Sequence, residues 1–465
     1  MLLEAGSPVT FLGVTARVRG FTVAKYKPEL RQRADFAVES GGSAELYEAL
    51  APGGLSNHWS CAVPRFSAED FADAARAGEV YTWPLGYEDL APFYDRMEQL
   101  LCVAGPAASS VQLPAPTTRD HLELGRDWQA LAVNAEKLDR TLVAMPYAYG
   151  AESTLSLSGT AFNAYTRLIR PLERKQRVKV RYDARALRLE WSGSTRRVEA
   201  VVVHDRKTGR EERIPCSAVV LAAGAVNTAQ VLLESSSADF PDGLGNTHDV
   251  LGRYFHDHPI GKLIVDLRAP ISVSPAVYLT RDKLARAKPL YAAACMQWSG
   301  ASALARSILG GHPGRLPYVG FSVFGTMAPA AEDRMKLDRS RPQVAGASPL
   351  TLSVRHPPEA RVVLEQARDE LLSLLEGAGF QPRVRIWKIE AFGSSVHYGG
   401  TCRMHASPRF GMLDGFSRLH AVKNVVVADS AAFTTGPEKN PVLTAMALAA
   451  RGAERLSTEL RAGDL

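Results

Sequence analysis

Two segments of this chain, far apart in the sequence, have the pattern of strand–turn–helix units in a parallel β-sheet. The first, AVVLAAGAVNTAQVLLESS, is a continuous apolar run followed by a glycine and then by helical spacing. The second runs from NVVVAD to NPVLTAMALAARGAERL, and the apolar start MLLEAG adds a third candidate strand. Because parallel strands are buried on both faces, they lack polar alternation, and these units predict an α/β fold.

The chain between these units has the pattern of antiparallel strands. From Arg177 to Leu221 short runs alternate polar and apolar residues, with KTG as a hairpin turn, and residues 262–330 also alternate. We therefore predict an α/β domain interrupted by a second domain with a mainly antiparallel sheet, and a ligand cleft where they join. The first domain is predicted to comprise residues 1–70, 165–262 and 385–465, and the second residues 71–164 and 263–384.

Composition argues against several classes of function. With 465 residues, 46% of them hydrophobic, the chain can bury the cores of two domains. The net charge is +6. Much of the excess lies in RKQRVKVRYDARALRLEWSGSTRRVEA, where basic and apolar residues alternate as on the solvent-exposed face of strands, so no nucleic-acid partner is expected. No apolar run approaches a membrane span, and the start lacks a signal-peptide pattern. The five cysteines have neither disulfide nor zinc spacing, which favours a cytoplasmic location and no metal site.

Two further segments have the spacing of amphipathic helices. EARVVLEQARDELLSLLEGAG has helical apolar spacing and ends at Gly377 and Gly379. In WPLGYEDLAPFYDRMEQLLCVAG the apolar positions with helical spacing are Leu90, Phe93, Met97 and Leu100.

Residues 5–45 show no clear periodicity and are predicted to form a loop.

His397, in SSVHYGGTCRM, and Asn440, in GPEKNPVLTAM, are candidates for catalysis. Imidazole titrates near neutral pH, so His397 suits the removal of a proton from a hydroxyl group. Asn440 could hydrogen-bond the same hydroxyl and orient it. A structural histidine at a glycine turn would produce the same pattern, so the residues alone leave both interpretations open.

Asn440 and Pro441 also mark a predicted helix start. Asparagine is favoured at the N-cap and proline at the first helical position. Such a start presents free N–H groups and a partial positive charge, which suit a negatively charged ligand group. An ordinary capped helix is the alternative.

Two loops carry further histidines. His58 follows the tight turn predicted at Gly53 and Gly54. A histidine there can contact a cofactor or hydrogen-bond the backbone, and the residues alone favour the backbone contact. Asp257 and His258, in LGRYFHDHP, are interpreted as part of a polar loop.

Taken together, these segments resemble the glucose-methanol-choline (GMC) oxidoreductases, flavoenzymes that oxidise alcohols. The matching pieces are LLEAGS, GGLSNHW, WPLGYEDLAPFYDRMEQLL, VVLAAGAVNTAQVLLESS, LGRYFHDHP, HYGGTCRM and NVVVADSAAFTTGPEKNPVLTAMALAARGAERL. They follow the family's order over nearly the whole chain. The strip GGLSNHWSCAVPRF resembles the sugar-oxidising branch that includes pyranose 2-oxidase and bacterial glycoside 3-oxidases.

The resemblance implies an FAD-dependent oxidase or dehydrogenase. The implied reaction oxidises a secondary alcohol of a sugar or glycoside, at C2 or C3, to a ketone, with hydride transfer to flavin N5 and O2 or another electron acceptor. His397 and Asn440 fall on the family's catalytic His/Asn pair, with His397 as the base. The first predicted domain is then a Rossmann-like FAD-binding domain, and the second binds the substrate.

The resemblance also implies which residues hold the FAD. Glu4 falls on the acid that binds the ribose, and Asp429 and Ser430 fall near the phosphate–ribityl part. His58 corresponds to the histidine that is covalently bonded to FAD in pyranose 2-oxidase, and Ser60 to a hydroxyl residue that faces the flavin. The other implied contacts are Gly54, Asn57, Trp59, Ala223, Gly224, Pro441 and Val442.

One element of the family pattern, the N-terminal strand with its G-x-G-x-x-G loop, would precede Met1. Without this unit the sheet lacks a central strand and the helix start that binds the pyrophosphate. We expect either that Met1 is an internal methionine of a longer protein, or that the short chain binds FAD weakly or not at all. A covalent bond through His58 would compensate only in part.

Two other functions stay open. The first is the oxidation of an alcohol of a natural product, such as an aminosugar or a polyketide. Alternatively, the protein is a flavin-free remnant that binds a sugar or a partner protein.

Overall fold

The computed structural model describes residues 1–9, 16–18, 21–23, 30–39, 43–110, 112–118, 120–149, 162–272, 274–279, 293–298 and 315–465. The α-helices in these ranges are α1 (Ala68–Ala77), α2 (Tyr87–Leu101), α3 (Arg126–Lys137), α4 (Arg170–Arg174), α5 (Ala225–Glu234), α6 (Pro358–Gly377) and α7 (Val442–Ala462). Short 3₁₀-helices cover Gly54–Asn57, Glu79–Tyr81 and Ser430–Ala432, and a π-helical turn covers Tyr165–Ile169.

The strands are short in the first third of the chain and longer after residue 180. The first ten are β1 (Leu2–Leu3), β2 (Ala16–Val18), β3 (Phe21–Val23), β4 (Arg31–Gln32), β5 (Phe36–Val38), β6 (Tyr47–Glu48), β7 (Leu142–Ala144), β8 (Val180–Arg181), β9 (Ala184–Ser192) and β10 (Arg197–Asp205). The others are β11 (Glu211–Pro215), β12 (Val219–Leu221), β13 (Ile260–Ser272), β14 (Val277–Leu279), β15 (Ala293–Trp298), β16 (Arg315–Gly325), β17 (Arg334–Leu337), β18 (Leu350–Ser353), β19 (Pro382–Ile389) and β20 (Val425–Val427).

Both predicted strand–turn–helix units are present. β12 leads through Gly224 into α5, and β20 is followed by a loop and α7. β12 pairs in parallel with β20, and β1 pairs in parallel with β8. Within the described ranges no pairing joins these two pairs into one sheet. Val220, in the middle of β12, is accordingly 47% exposed, whereas its neighbours Val219 and Leu221 are buried.

The intervening sheets are mainly antiparallel, as predicted. One sheet has the strand order β15-β16-β13-β19, with antiparallel pairing throughout, and another has the order β11-β10-β9. The predicted KTG turn joins β10 to β11, and Gly209 there has a φ of 72°, which glycine adopts without steric cost. The predicted α/β class with an interrupting antiparallel sheet is confirmed.

Two clusters of buried apolar side chains form the core. The larger one contains Val427 of β20 and Leu443 of α7, together with the buried apolar residues of α1 and α2. The smaller one lies between α3, α6 and the β13–β16 sheet, and includes Trp128, Leu263 and Leu371. Although α2 and most of α1 fall in the range predicted for the second domain, both helices contribute to the larger cluster. The domain ranges remain a prediction.

The buried face of α2 differs from the predicted one. Its buried residues include Tyr94, Glu98 and Leu101, whereas Leu100 is 44% exposed. Glu98 is buried because it accepts hydrogen bonds from Nε and Nη2 of the buried Arg65, each at 2.6 Å. Apolar spacing cannot reveal a buried carboxylate, since only a tertiary partner makes its burial tolerable.

Residues 5–45 also differ from their prediction as a loop. The described parts contain β2 and β3, which form an antiparallel pair, and β5, which pairs in parallel with β18. Phe36 lies opposite Leu350 in that pairing. A three-residue strand whose partner is more than 300 residues away has no local periodicity from which to predict it.

Candidate active site

Three loops that are distant in sequence assemble the candidate site. His256 and Gly399 form an antiparallel bridge, with N···O distances of 3.0 and 2.9 Å, which lays the chain after His256 along the loop that carries His397. Successive side chains of an extended chain point to opposite sides. Asp257 therefore reaches the backbone of the loop, while His258 reaches the ring of His397.

The structure brings His397 and Asn440 together. Nδ2 of Asn440 lies 3.3 Å from Nε2 of His397. Nδ1 of His397 lies 2.9 Å from Nδ1 of His258, and the ring of Phe324 packs 5.4 Å from the His397 ring. Asn440 is 8% exposed and His258 is 2% exposed, so these polar contacts form where little water can reach.

The hydrogen-bond network assigns the protons of the two histidines. An amide N–H can only donate, so the contact with Asn440 Nδ2 makes Nε2 of His397 the acceptor. His397 then carries its proton on Nδ1 and donates it to Nδ1 of His258. Nε2 of His397 is then an unprotonated lone pair facing the amide N–H of Asn440. This is the protonation state that a general base needs.

Burial keeps the histidines of the site neutral. Burial lowers the pKa of His397 to about 4. Burial also lowers the pKa of His258 well below its ordinary value, and the neighbouring His397 lowers it further. A neutral imidazole at physiological pH can accept a proton, whereas an imidazolium cannot.

The interpretation of Asp257 and His258 as a polar loop is wrong, because both residues contact His397. Asp257 is fully buried, and its Oδ1 accepts the backbone N–H of His397 at 2.7 Å. Burial raises the pKa of the Asp257 carboxyl to about 6. These contacts join residues about 140 positions apart, and no local pattern signals them.

Asn440 does not cap the helix that follows it, and the predicted N-cap is wrong. α7 begins at Val442 with Pro441 before it, and no side chain caps its first turn. The amide of Asn440 is directed at His397 instead. A residue that prefers the N-cap can be recruited elsewhere when a tertiary contact competes.

The two residues before Asn440 anchor its loop in opposite directions. Glu438 accepts hydrogen bonds from Tyr278 Oη at 2.8 Å and Thr326 Oγ1 at 2.9 Å, both in the antiparallel part. Lys439 is fully buried and forms an ion pair with Asp70 at the start of α1. Asn440 is thus held between two parts of the molecule.

The loop predicted to contact a flavin begins with the expected tight turn. Gly53 and Gly54 have φ angles of 96° and 52°. The Asn57 amide donates to the carbonyl of Gly54 at 2.8 Å, and its buried Oδ1 has no hydrogen-bond partner among the residues that the structure describes. The Trp59 indole donates to the carbonyl of Phe162 at 2.8 Å. Asn57 and Trp59 therefore stabilise this loop.

His58 and Ser60 flank Trp59 on the same loop. His58 is half-buried and ends the short 3₁₀-helix, where its backbone N–H donates to the carbonyl of Leu55 at 2.9 Å. Ser60 is exposed. A contact of either side chain with a flavin stays a prediction.

The turn at Gly224 joins the two parallel units. Asp429 Oδ2 accepts the Gly224 backbone N–H at 3.0 Å and the Thr228 hydroxyl at 2.6 Å, and burial raises the pKa of Asp429. Ser430 donates to the carbonyl of Tyr398, which ties this turn to the loop of His397. Asp429 and Ser430 thus connect the turn at Gly224 to the loop that carries His397.

Glu4 stands at the end of β1, as a ribose-binding acid would. Its Oε1 accepts the backbone N–H of Gly6 at 2.7 Å. Burial raises the pKa of Glu4, an effect opposed by the hydrogen bond from Gly6 and by the charge of Arg206. Part of its hydrogen-bonding capacity stays available to a hydroxyl group.

The residues predicted to contact FAD, here called the nucleotide side (Glu4, Gly54, Gly224, Asp429 and Ser430), fit a bound FAD. Gly54 and Gly224 both have positive φ, and a Cβ at either position would meet no atom of the described residues within 4 Å. Open space beside left-handed glycines lets a ligand approach the backbone. Ala223 is exposed next to Gly224, and the ten-residue helix α5 starts there with its free N–H groups.

Two family models match most of the chain. The N-terminal model described as GMC oxidoreductase matches residues 58–260, and the C-terminal model of the same description matches residues 360–449. The chain belongs to the GMC oxidoreductase family. GMC oxidoreductases are FAD-binding flavoproteins, so this member is an FAD-dependent oxidoreductase of alcohols.

Known GMC oxidoreductases similar to this chain act on several alcohols. The chain is 25% identical to 2-methyl-1,2-propanediol dehydrogenase of Mycolicibacterium austroafricanum, with 87% of this chain and 80% of that protein covered. It is 25% identical to paromamine 6'-oxidase of Streptomyces fradiae, covering 90% and 78%. A C-glycoside 3-oxidase of Arthrobacter globiformis is 27% identical over 56% of this chain and 50% of that protein.

A solved structure supports the GMC fold. Pyridoxine 4-oxidase from Mesorbium loti matches with a TM-score of 0.63 and 15% identity, covering 98% of this chain and 94% of the other. At this identity the match concerns the fold.

In the described ranges, no helix has the length and apolar character that crossing a membrane requires. The same ranges contain no group of three His, Cys, Asp or Glu residues placed to hold a metal ion.

Proposed function

We propose that this GMC oxidoreductase oxidises a secondary hydroxyl of a sugar or glycoside, at C2 or C3, to the ketone. The observation that carries the proposal is the 3.3 Å contact between Asn440 Nδ2 and the unprotonated Nε2 of His397. The similarity to C-glycoside 3-oxidases supports the substrate class. Bound FAD supplies the hydride acceptor, with O2 or another acceptor reoxidising it.

His397 and Asn440 divide the work on the hydroxyl group. His397 Nε2 takes the hydroxyl proton, and the Asn440 amide donates to the hydroxyl oxygen and orients it. His258 holds the other side of the His397 ring in the tautomer that leaves Nε2 free. His258 and Asn440, which flank the His397 ring, are 2% and 8% exposed, so little water competes for the lone pair.

The FAD contacts of Glu4, Gly54, Gly224, Asp429 and their neighbours are part of the proposal. The start of α7, at Pro441 and Val442, is proposed to favour the reduced flavin because its free N–H groups carry partial positive charge. A covalent bond from His58 to the flavin is also proposed. Acid denaturation tests that bond, since a covalent flavin stays with the precipitated protein and a non-covalent flavin stays in solution.

Anaerobic reduction of the flavin tests the function. The protein is purified, loaded with FAD, and mixed with a panel of monosaccharides and glycosides without oxygen. Loss of the flavin absorbance with at least one of them is expected, and product analysis identifies the oxidised carbon. Asn440→Asp, which replaces the N–H donor by an oxygen, should slow this reduction about 10²-fold. No bleaching with any sugar would reject the substrate class.

An aminosugar alcohol is the second candidate substrate. The similarity to paromamine 6'-oxidase over 90% of the chain favours it. An aminoglycoside and its deaminated counterpart in the same panel separate the two candidates, since a preference for the amine supports the second.

A further inference from the structure

The carboxylate of Asp257 lies beneath the loop that carries His397. It is 0% exposed, yet its described partners are neutral groups on that loop. Oδ2 accepts the backbone N–H of Ser395 at 3.1 Å, and Oδ1 accepts the Ser395 hydroxyl at 2.5 Å and the backbone N–H of His397 at 2.7 Å. One carboxylate thus bonds the backbone on both sides of Val396.

Val396, between these two hydrogen-bonded residues, has an unfavourable backbone conformation. Its φ is +60°, in the left-handed region. A β-branched residue is a genuine outlier there because its side chain clashes with the backbone. Such a conformation persists only when the surrounding structure imposes it, and it occurs preferentially at functional sites.

The conformation of Val396 decides where His397 points. The backbone enters His397 directly from Val396, and the His397 ring must reach two partners, His258 at 2.9 Å and Asn440 at 3.3 Å. If Val396 relaxed to negative φ, the chain would enter His397 in another direction. Both ring contacts depend on that direction.

We propose that Asp257 is a positioning residue, whose carboxylate holds Val396 in the left-handed conformation and thereby aims His397 Nε2 at the substrate hydroxyl. The inference rests on the proposed function of His397 as base, but the geometric part is independent of catalysis. Asp257 acts through the backbone and does not touch the reacting atoms. The neighbouring residue, His258, acts on the His397 ring.

The test is a double-mutant cycle between Asp257→Asn and Val396→Gly. The asparagine keeps the shape but loses one acceptor oxygen. It should lower kcat for flavin reduction about 10²-fold, with KM changed less than threefold. Glycine adopts positive φ at no steric cost, so the double variant should recover about tenfold of that loss.

Asp333→Asn is the matched control. Asp333 is also buried and accepts two backbone N–H groups, from Ala330 at 3.0 Å and Arg355 at 3.2 Å. D333N should lower thermal stability as D257N does, but keep kcat within threefold. A kcat loss as large in D333N as in D257N would show that Asp257 has only a structural role and would overturn the proposal.

Crystal structures of the variants separate this proposal from the proposed function. In D257N residue 396 should leave positive φ and the Asn440 Nδ2–His397 Nε2 distance should exceed 3.3 Å, while the double variant should restore it. If no alcohol reduces the wild-type flavin, the function fails and this geometric test still decides the role of Asp257. If D257N does not fold, the double variant must fold, and an insoluble double variant overturns the proposal.

Discussion

The catalytic side of the site, which comprises His397, Asn440, His258 and Asp257, and the nucleotide side are built differently. Around His397 nearly every polar group is engaged, by Asp257 at the backbone, His258 at Nδ1 and Asn440 at Nε2. On the nucleotide side the described parallel strands β1 and β8, and β12 and β20, form two separate pairs, and no described atom fills the space beside Gly224. The catalytic side is preorganised by protein contacts alone, whereas the nucleotide side has room for a ligand.

This difference separates two properties that are usually lost together. Changes on the catalytic side should reduce turnover while FAD still binds. Changes on the nucleotide side should reduce FAD binding while the bound enzyme still turns over. If either kind of change lowers turnover and FAD binding equally, the two sides do not act separately.

His397→Ala should have the largest effect. Removing a general base typically costs 10² to 10⁴ in rate, so kcat for flavin reduction should fall by about that factor while the bound FAD per chain is unchanged. Stopped-flow absorbance measures the rate of flavin reduction, and the flavin-to-protein ratio measures the bound FAD. His420→Ala is the control, since that ring bonds a backbone carbonyl at 2.9 Å. Loss of FAD from H397A would show that the two sides are not separate.

Lys439→Met should destabilise the catalytic side. Lys439 is fully buried beside Asp70, and removing one member of a buried ion pair costs about 3–5 kcal/mol. Denaturant unfolding measures the loss. The double variant Asp70→Asn/Lys439→Met should lose less than the single one, because it removes both charges of the pair. A single-variant loss below about 1 kcal/mol would contradict the assigned ion pair.

Gly224→Ala should act on the nucleotide side. The new Cβ would occupy open space at a φ of 82°, so both strain and lost access should weaken FAD binding about tenfold. Fluorescence titration with FAD measures the affinity, and kcat at saturating FAD should stay near that of the wild type. Gly209→Ala, at a φ of 72° in the β10–β11 turn, has similar strain but should leave FAD affinity unchanged.

Acid pH should have the smallest effect. The pKa of His397 is lowered to about 4 by burial, so the base stays neutral as pH falls from 8 to 5 and is lost only near pH 4. An exposed histidine would already lose activity near its ordinary pKa of about 6.5. The pH profile of the flavin-reduction rate checks this, with FAD retention followed over the same range. Protonation of the Asp257 carboxyl, whose pKa is about 6, could itself produce an acid limb. An acid limb near pH 6.5 that persists in D257N would therefore mean that water reaches His397.

Much of the architecture is predictable because its signals are local. The apolar run and glycine before α5 and the strand before α7 predict parallel units from neighbouring residues alone. The helix predicted at α2 is present with Leu90 buried, but Leu100 is exposed and Glu98 is buried. The N-cap predicted at Asn440 is wrong, because Asn440 bonds His397 instead. In both cases a tertiary partner, Arg65 or His397, overrides the local preference.

The sequence by itself determined the α/β class, the GMC resemblance and His397 and Asn440 as candidates, because these depend on residue types at short spacing. Only the tertiary structure decided that His258 sets the tautomer of His397 and that Asp257 holds its backbone. These contacts join residues about 140 positions apart. Burial then decided the protonation state, because the pKa of an imidazole depends on its access to water, which only the folded chain defines.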